Sequence, residues 1–573
     1  MKKFLLAAAL ILAGAMAYWF HQASTPQLVK ANAVLEWVPA DTLVFSGLLT
    51  PFPLKLYLQT VADNYPGGLT HRQLQSRANE PMAAFLLSIF DTYLRGLKDP
   101  AALLAKFGLA DTLKAYVYTL GTSPVIKLEL ARPEAFWALL DQAERDTGVT
   151  HTQGQLVGID YRSYLLTDGA GAEPLSLVFA EYLGMLTITV LPLSRDTELL
   201  ETALGLKRPA ESLASSGMLE EIIDTHGFSG DSVSFINHVA LAKALTSGDA
   251  GPLARQLGRR IYDLSLAGVG ELQTSECRRE LMALASHWPR TLIGLNEMRI
   301  NEQHSHIEAT MVIESRNRII LTALQRLRGF IPAYVGEASL FGMGLGIDVD
   351  EFPPAVKTIW SELRTPAYQC VPLARLQAGL SARDPAILGM FTGLAEGVKG
   401  VSLALLDYRL DEQQAEPVIA AIDGLLSLAA DKPAALFDTV KIFVPGLAET
   451  QLVDGAEAID LSTRLRLPAT FAIKPMLVLR GQHLVIYAGD RAKVLADSLA
   501  DVPVAANGLF SILTDYPRLF GPLLTLAEMA AEPLPEEFAV LQGYKMRQQI
   551  HLDVNDKGIV LTSVVDSEAR ARD

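Results

Sequence analysis

The feature of this sequence that most constrains its fold is a series of short motifs that occurs twice in the same order. Residues 37–47 run from a Pro-Ala pair into a short apolar strand, and residues 330–342 repeat this pattern near the midpoint of the 573-residue chain. Four further pairs of segments match in the same order. Self-similarity along a chain is the signature of internal repetition. We therefore expect an internal duplication, with a first lobe over residues 35–328 and a second over residues 329–573.

Local patterns indicate how each lobe is built. Residues 82–97 place apolar side chains at the three- and four-residue spacing of an amphipathic helix. Residues 549–552 and 560–564 alternate on either side of the turn at 554–559, which predicts a hairpin. Strands that alternate in this way bury one face, and helices then cover that face.

The expected fold class is therefore α+β. We expect two tandem duplicated lobes, each a largely antiparallel or mixed sheet covered by helices, after an N-terminal membrane helix. The alternative is a chain without duplication, because any α+β protein alternates strands and helices.

Long aliphatic stretches contribute to a mean hydropathy of +0.23. We interpret three of them, residues 386–406, 417–430 and 519–531, as aliphatic helices. Two lobes of this composition could enclose a groove for an apolar ligand, but an ordinary large core explains the same composition. Both explanations stay open.

The N-terminal segment, residues 1–26, has the pattern of an export signal. Lys2 and Lys3 precede an apolar run at 4–20, and a polar stretch that contains a proline follows. Two outcomes are open: cleavage near Ala17, or retention of the run as a membrane anchor with an aromatic end. The body is expected in the periplasm in both cases, either on a single inner-membrane anchor or in soluble form.

Export affects the interpretation of the two cysteines, Cys277 and Cys370. In an oxidising compartment a single pair of thiols most often forms a structural disulfide, and we expect that pairing here. The alternative is a reactive thiol, which Arg278 and Arg279 beside Cys277 would favour. Two cysteines exclude a disulfide-dense scaffold and a four-cysteine metal site.

Charge and motifs argue against several functional classes. The formal net charge of −15 makes nucleic acid an unsuitable partner. The sequence has no nucleophile elbow, zinc-protease motif or phosphate-binding loop, so we expect a non-enzymatic protein without catalytic, cofactor-binding or metal-binding residues. The glycines at 342–346 miss the dinucleotide spacing by one residue, and we interpret them as a strand or loop that packs closely against other backbone.

A row of polar residues on one predicted strand is the first candidate metal site. His304, His306 and Glu308 alternate, and Glu302 extends the row, so all of them point to one face. Two imidazoles and carboxylates could bind zinc or copper. The simpler explanation is a solvated sheet face, because the intervening residues are apolar and form the expected core side: Ile307, Ala309, Met311 and Ile313.

The remaining acidic groups also have a structural explanation. Asp348, Asp350 and Glu351 could hold Ca²⁺, but they precede a helix that begins with proline and suit its positive end. Residues 553–558 resemble a calcium loop, which we reject because Lys557 occupies a ligand position. We interpret two adjacent pairs as charges at helix starts: Glu220-Glu221 and Glu536-Glu537.

The opening at 37–42, Trp-Val-Pro-Ala-Asp-Thr, resembles the Leu-Pro-Ala-Asp-Thr start of bacterial envelope proteins with repeated strand–helix modules. Taken with the Lys-Lys-Phe-Leu-Leu anchor and the segment 363–370, the whole chain is similar to a proteobacterial family of unknown function. That family is associated with alpha-2-macroglobulin-like envelope proteins. The resemblance implies a periplasmic accessory role and assigns no catalytic residues.

These observations favour a non-enzymatic periplasmic protein, tethered to the inner membrane, that binds a protein partner or scaffolds an envelope assembly. The partner that the resemblance implies is an alpha-2-macroglobulin-like protein. The alternative is a protein that holds a lipid or another apolar ligand in a groove between the lobes. A hydrolase with an unrecognised site is the least favoured function.

Overall fold

A computed structural model describes eleven stretches of the chain: residues 32–61, 80–167, 174–192, 197–247, 251, 253–257, 270–381, 392–411, 418–466, 473–529 and 545–568. The predicted export segment, residues 1–26, and the pair Glu536-Glu537 lie outside them. Within these stretches, no helix combines the length and the apolar character that crossing a bilayer requires.

The described residues form 19 strands, and each pairing of two strands detailed below is antiparallel. In chain order, the strands are β1 Val44–Leu48, β2 Ala115–Leu120, β3 Ser123–Glu129, β4 Thr152–Leu156, β5 Ile159–Thr167, β6 Leu175–Tyr182, β7 Met185–Leu191, β8 Ser232–Asn237, β9 Arg290–Ile300, β10 His304–Glu314, β11 Phe341–Leu345, β12 Val398–Asp411, β13 Val418–Ala430, β14 Ile459–Asp460, β15 Met476–Arg480, β16 His483–Ala488, β17 Phe510–Asp515, β18 Met546–Val554 and β19 Gly558–Glu568.

The helices of the same residues lie between these strands. They are α1 Leu54–Val61, α2 Pro81–Gly96, α3 Pro100–Phe107, α4 Pro133–Thr147, α5 Thr197–Leu204, α6 Leu213–Ser216, α7 Met218–His226, α8 His238–Thr246, α9 Ser275–His287, α10 Arg318–Arg326, α11 Tyr334–Glu337, α12 Phe352–Arg364, α13 Val371–Ser381, α14 Pro433–Val440, α15 Leu461–Arg464, α16 Asp490–Ser498 and α17 Tyr516–Met529. The prediction of an α+β chain with largely antiparallel strands is confirmed.

The chain divides into two compact units. Unit 1 comprises the described residues within Met1–Glu314, Tyr368–Ala374 and Asp566–Asp573. Unit 2 comprises those within Ser315–Ala367 and Arg375–Val565.

Unit 1 contains a sheet with the strand order β4-β5-β6-β7-β3-β2-β1-β8-β9-β10. Helices α2 and α4 cover one face of this sheet, where Phe85 and Leu140 pack against Tyr164, Phe179 and Leu186. Helix α1 extends the same cover, because its Tyr57 packs with residues of β1, β2, β9 and β10. The central strands of unit 1 are therefore buried on this face.

Unit 2 contains a sheet with the order β14-β15-β16-β13-β12-β11-β17-β18. Seven neighbouring strands have the same spatial order, relative to their order along the chain, in both units. This order is β15-β16-β13-β12-β11-β17-β18 in unit 2 and β6-β7-β3-β2-β1-β8-β9 in unit 1. A helix follows the third strand of each unit directly, α4 after β3 and α14 after β13. Both helices begin with proline at the first turn, after Arg132 and Lys432 respectively.

The described parts of two predicted aliphatic helices are mainly strand. Residues 398–406 belong to β12 and residues 418–430 are β13, and the two strands pair along most of their length. Of the first stretch, residues 386–391 lie outside the described residues and Gly393–Ala395 form a short 3-10 helix. The prediction is wrong because both strands are apolar on both faces, so their sequence lacks the alternation that identifies a strand. Helix α17 overlaps the third predicted stretch, and α2 and the β18–β19 hairpin lie where they are predicted.

The buried side of β10 changes partway along the strand. Ile307 is buried as expected, but Thr310, Val312 and Glu314 are buried in place of Met311 and Ile313. Ala309 still packs in the same cluster as Ile307, so β10 alternates regularly and it is the cover on its two faces that changes along the strand. The register shift between Glu308 and Ala309 places the extra residue, Asn296, in the partner strand β9.

Candidate functional site

The strand β11 of unit 2 has side chains on only one of its faces at its centre, because Gly342 and Gly344 alternate with Met343 and Leu345. A Cβ atom on Gly342 would lie 2.3 Å from the carbonyl oxygen of Val335, and one on Gly344 would lie 2.6 Å from Ile331. The glycines therefore allow the segment that precedes β11 to pack directly on the strand. The structure places this motif within a strand, where it permits close backbone packing.

That glycine-containing face is the core of unit 2. Tyr334 lies on it, and its hydroxyl is 2.7 Å from the hydroxyl oxygens of both Ser402 and Ser427. Ala492 and Ala496 of α16 pack there with Leu425 and Val485. Small residues on the strands thus let helices approach closely on this side of the sheet.

The opposite face of the same strands is apolar and open to solvent. Five of its side chains, which we call the open face, have between 39% and 45% of their surface exposed: Met343, Leu345, Val401, Leu403 and Leu426. Large aliphatic side chains with that exposure on neighbouring strands are unusual, because burying them would stabilise the protein by about 25 cal/mol per Å².

Register places the open face in two parallel rows. Met343 lies opposite Leu403, which in turn lies opposite Leu426. Leu345 lies opposite Val401. Directly opposed residues of an antiparallel pair point to the same side, so these five side chains form one continuous patch. The rows continue onto β17 through Ile512 and Phe510, and onto β16 and β13 through Ile486 and Leu428.

A hollow of about 380 Å³ lies at one end of the open face. Its lining is almost entirely apolar and includes Phe341, Leu403, Leu405, Ile422, Leu426, Pro475 and Ile486. Helix α14 lies beside it, where Phe437 packs against Leu477 and reaches the partly buried Leu484 and Ile486. Helical cover on this face therefore includes β15 and β16. It also reaches the far end of β12, where Tyr408, opposite Ile422, donates a hydrogen bond to the carbonyl oxygen of Leu519 in α17. Leu403 and the other residues of the open face stay exposed.

An acidic cluster lies at the other end of the rows, two residues before Val401 on β12. The ammonium group of Lys399 is 2.9 Å from Asp348, 3.3 Å from Asp350 and 3.3 Å from Asp431. Burial opposes the charge on Lys399, but hydrogen bonds to these carboxylates outweigh it and raise the lysine pKa above its usual value. Three carboxylates around one ammonium leave this end with an excess of negative charge.

Two of the three residues that the sequence suggested as calcium ligands thus form ion pairs with a lysine. Asp348 and Asp350 contact Lys399, and Glu351 is the N-cap residue of α12 without a side-chain capping bond. Glu220 and Glu221 lie in the first turn of α7, where carboxylates suit the helix dipole. In the turn after β18, Asn555 accepts bonds from the backbone of Lys557 and Gly558.

The histidine row lies on β10, and the structure adds a carboxylate that sequence reasoning missed. Nδ1 of His306 is 2.7 Å from Oδ1 of Asp566, and Nε2 of His304 is 3.6 Å from the same oxygen. Glu308 instead accepts a bond from Asn296, and Glu302 is exposed in the turn between β9 and β10. In the part of the chain that the structure describes, no three His, Cys, Asp or Glu residues are arranged to hold a metal ion.

The cysteines form a disulfide in unit 1. The sulfur atoms of Cys277 and Cys370 are 2.10 Å apart, and both residues are buried. Glu280 accepts hydrogen bonds from the backbone N–H groups of Gln369 and Cys370, and Arg279 donates to the Gln369 side chain. The disulfide and these bonds fix the segment before α13 to α9.

Two buried ionisable groups of unit 1 also escaped the sequence analysis. Lys127 of β3 is almost fully buried, and burial lowers its pKa to about 7. Glu314 of β10 bonds to both Arg290 and His226. Burial opposes ionisation of Glu314, yet the bonds from His226 and Arg290 outweigh it and lower its pKa. The only sequence signal that could have identified Lys127 is its spacing. It lies two residues after the buried Val125, so both side chains point to the same face of β3.

Comparison of the chain with family models, with curated proteins and with solved structures finds no match.

Proposed function

We propose that the protein is a non-enzymatic binding protein whose open face receives an apolar surface of a protein partner. The observation that carries this proposal is the row Met343, Leu403 and Leu426, three large side chains about 40% exposed on adjacent strands. Contiguous exposed apolar patches of this kind mark sites of interaction in soluble proteins. No catalytic group is part of the proposal.

A protein surface suits the open face better than a small ligand does. Three strands spaced by about 4.8 Å present a broad surface, whereas small-ligand sites bury most of the ligand in a concavity. Such a surface would form the apolar centre of an interface, which a rim of polar residues then completes. The hollow beside α14 favours a second candidate function, binding of a lipid or another apolar ligand, because its volume of about 380 Å³ is within the usual range for ligand pockets.

The bacterial envelope is the proposed location. The pattern of residues 1–26 supports an inner-membrane anchor with the body in the periplasm, or a soluble periplasmic protein after cleavage near Ala17. The disulfide between Cys277 and Cys370 is consistent with an oxidising compartment. The proposed partner is an envelope protein of the alpha-2-macroglobulin-like class, and nucleic acid is not expected to bind.

An internal duplication is part of the same proposal. The order shared by seven strands and the prolines that begin α4 and α14 both support it. Duplication would explain why the open face of unit 2 is apolar although it is exposed, because the equivalent face of unit 1 forms a core.

Capture of partners by the full chain and two variants tests the proposed function. Leu403→Asp places a charge at the centre of the open face, where docking would desolvate it, so recovery of the specific partner should fall roughly tenfold or more. Val494→Asp is the matched control, because Val494 is 67% exposed on α16, which packs on the opposite face. Both variants should keep the circular dichroism spectrum of the parent.

The result that contradicts the proposal is equal recovery of every co-purifying protein by the parent, Leu403→Asp and Val494→Asp. Native mass spectrometry of the same samples tests the second candidate function, the binding of a lipid or another apolar ligand. A lipid adduct that is present on the parent and absent from Leu403→Asp would favour ligand binding.

A further inference from the structure

We infer that the open face binds an amphipathic α-helix of its protein partner, and that this helix carries basic residues at one end. The inference rests on the proposed function and names the kind of partner. It is argued from unit 1, from the charges beside the open face and from the dimensions of the strands.

Unit 1 shows what covers this sheet face in the same fold. The equivalent sheet face in each unit is the one on which the helix after the third strand packs. In unit 1, α4 packs there against Leu186 of β7, and in unit 2, α14 contacts Ile486 of β16. In unit 1 this face also carries α1 and α2, which lie between β1 and β2. The residues beneath are consequently buried: Leu48 and Ala115, which pack with Tyr57 of α1, each expose 3% of their surface.

Among the described residues of unit 2, no helix buries the corresponding strands to that extent. Leu403 of β12 is 40% exposed, although it lies on the face that α1 and α2 cover in unit 1. The helix that packs on the equivalent strands of unit 1 is α1, whose Leu54 and Tyr57 lie at helical spacing, whereas the stripe of α2 packs over β5, β6 and β7. A helix of a partner with apolar residues at that spacing would complete unit 2 with the same kind of layer.

The charges at the end of the rows complement a basic helix. Asp348, Asp350 and Asp431 surround a single lysine, Lys399, so the cluster keeps an excess of negative charge. It adjoins the strand end that carries Leu345 and Val401, since Lys399 is two residues before Val401 and Asp348 is three residues after Leu345. Charges act over about 8 Å at physiological ionic strength. Lysine or arginine residues at the adjoining end of the partner helix would be attracted there, and would also fix its direction.

Site-specific photo-crosslinking from the full chain can measure the conformation of the partner. A benzophenone amino acid is placed singly at Val401 and at Leu403, which are two residues apart on β12 and hence about 6.7 Å apart. A helix aligned with the strand covers that distance in about four residues, since it rises 1.5 Å per residue. An extended segment covers it in about two residues. The same amino acid at Val494 is the control.

The expected result is that the crosslinked sites on the partner shift by about four residues between the Val401 and Leu403 experiments, with no such crosslink from Val494. A shift of two residues would show that the partner binds as an extended segment. That result would overturn the inferred helix and leave the proposed function intact. Crosslinks to lipid alone, or protein crosslinks no more abundant than those from Val494, would overturn both. Folding of each labelled chain is checked by its melting temperature, which exposed positions should leave within a few degrees of the parent.

Discussion

The side-chain nitrogen Nζ of Lys127 lies 2.7 Å from the hydroxyl oxygen of Thr187, its register partner on the neighbouring strand β7. Both residues are buried, and within the described chain Lys127 forms no ion pair with a carboxylate. The lack of water disfavours the charged form and lowers the pKa of this lysine to about 7, so the amine is neutral above that pH. The central strands of unit 1 therefore enclose a base whose protonation opposes folding.

Unit 1 should consequently gain stability as pH rises above neutrality. Burial lowers the pKa of Lys127 to about 7 from 10.5, so between these values the unfolded chain binds a proton that the folded chain does not. The free energy of unfolding then rises by up to about 1.4 kcal/mol per pH unit in this window. Urea denaturation of the parent and of Lys127→Met, at several pH values between about 7.5 and 9.5, measures the difference in slope. Equal slopes would contradict a neutral buried lysine.

Of the two carboxylates that contact Arg290, Glu314 should contribute more to the free energy of unfolding than Glu221 does. Glu314→Gln leaves the buried Arg290 without its closest carboxylate and should lower the free energy of unfolding by about 3 kcal/mol at neutral pH. The matched control is Glu221→Gln, since Glu221 contacts the same arginine but is 54% exposed, and it should cost less than about 1 kcal/mol.

The effect of Glu314→Gln should also depend on pH. The folded-state pKa of Glu314 is below its ordinary value of 4.5, so its contribution is complete above that value and is lost as pH falls through the folded-state pKa. The denaturation curves of the parent and Glu314→Gln should therefore converge in acid. A constant difference at all pH values would indicate that packing and not charge is lost.

The disulfide should be a major source of stability in unit 1. It joins residues 93 positions apart, and a loop of this length corresponds to about 4 to 5 kcal/mol in the chain-entropy treatment. A reducing agent should lower the melting temperature of the parent and have no effect on the double variant Cys277→Ala, Cys370→Ala. An unchanged melting temperature of the parent under full reduction would show that the bond closes a segment already held by its other contacts.

The glycines of β11 should be intolerant of a methyl group. Gly342→Ala would place Cβ 2.3 Å from the carbonyl oxygen of Val335, and the resulting overpacking should cost about 1 to 3 kcal/mol. Gly379→Ala in α13 is the control, because no atom lies within 4 Å of its added Cβ and alanine favours a helix. Thermal unfolding compares the two; equal melting temperatures would mean that α11 can move away from the strand.

The sequence was informative where an element has a regular apolar period. The stripe in α2 predicted a helix that buries Phe85 and leaves Phe90 exposed. The alternation in β18 and β19 predicted the hairpin, although most side chains of both strands are half-buried. In β12 and β13 the periodicity disappears, since one face lies in the core and the other is the open face, and both are apolar.

The candidate site was beyond sequence reasoning for the same reason. An exposed Leu403 and a buried Leu425 are the same residue type, and only the packing of α16 and α14 on the sheet distinguishes them. The disulfide was predictable because only two cysteines are present. The contact of His306 with Asp566 was not, because the two residues are 260 positions apart.

Oxidative footprinting of Met343 tests the central claim most directly. Met343 is the methionine of the open face, and its side chain is 40% exposed. Hydroxyl-radical oxidation is measured by mass spectrometry on the free full chain and on the chain with its captured partner, with the partly exposed Met218 of unit 1 as the internal reference. The account predicts that oxidation of Met343 falls several-fold in the complex while that of Met218 is unchanged. Equal oxidation of Met343 in the free and bound protein would contradict binding at the open face.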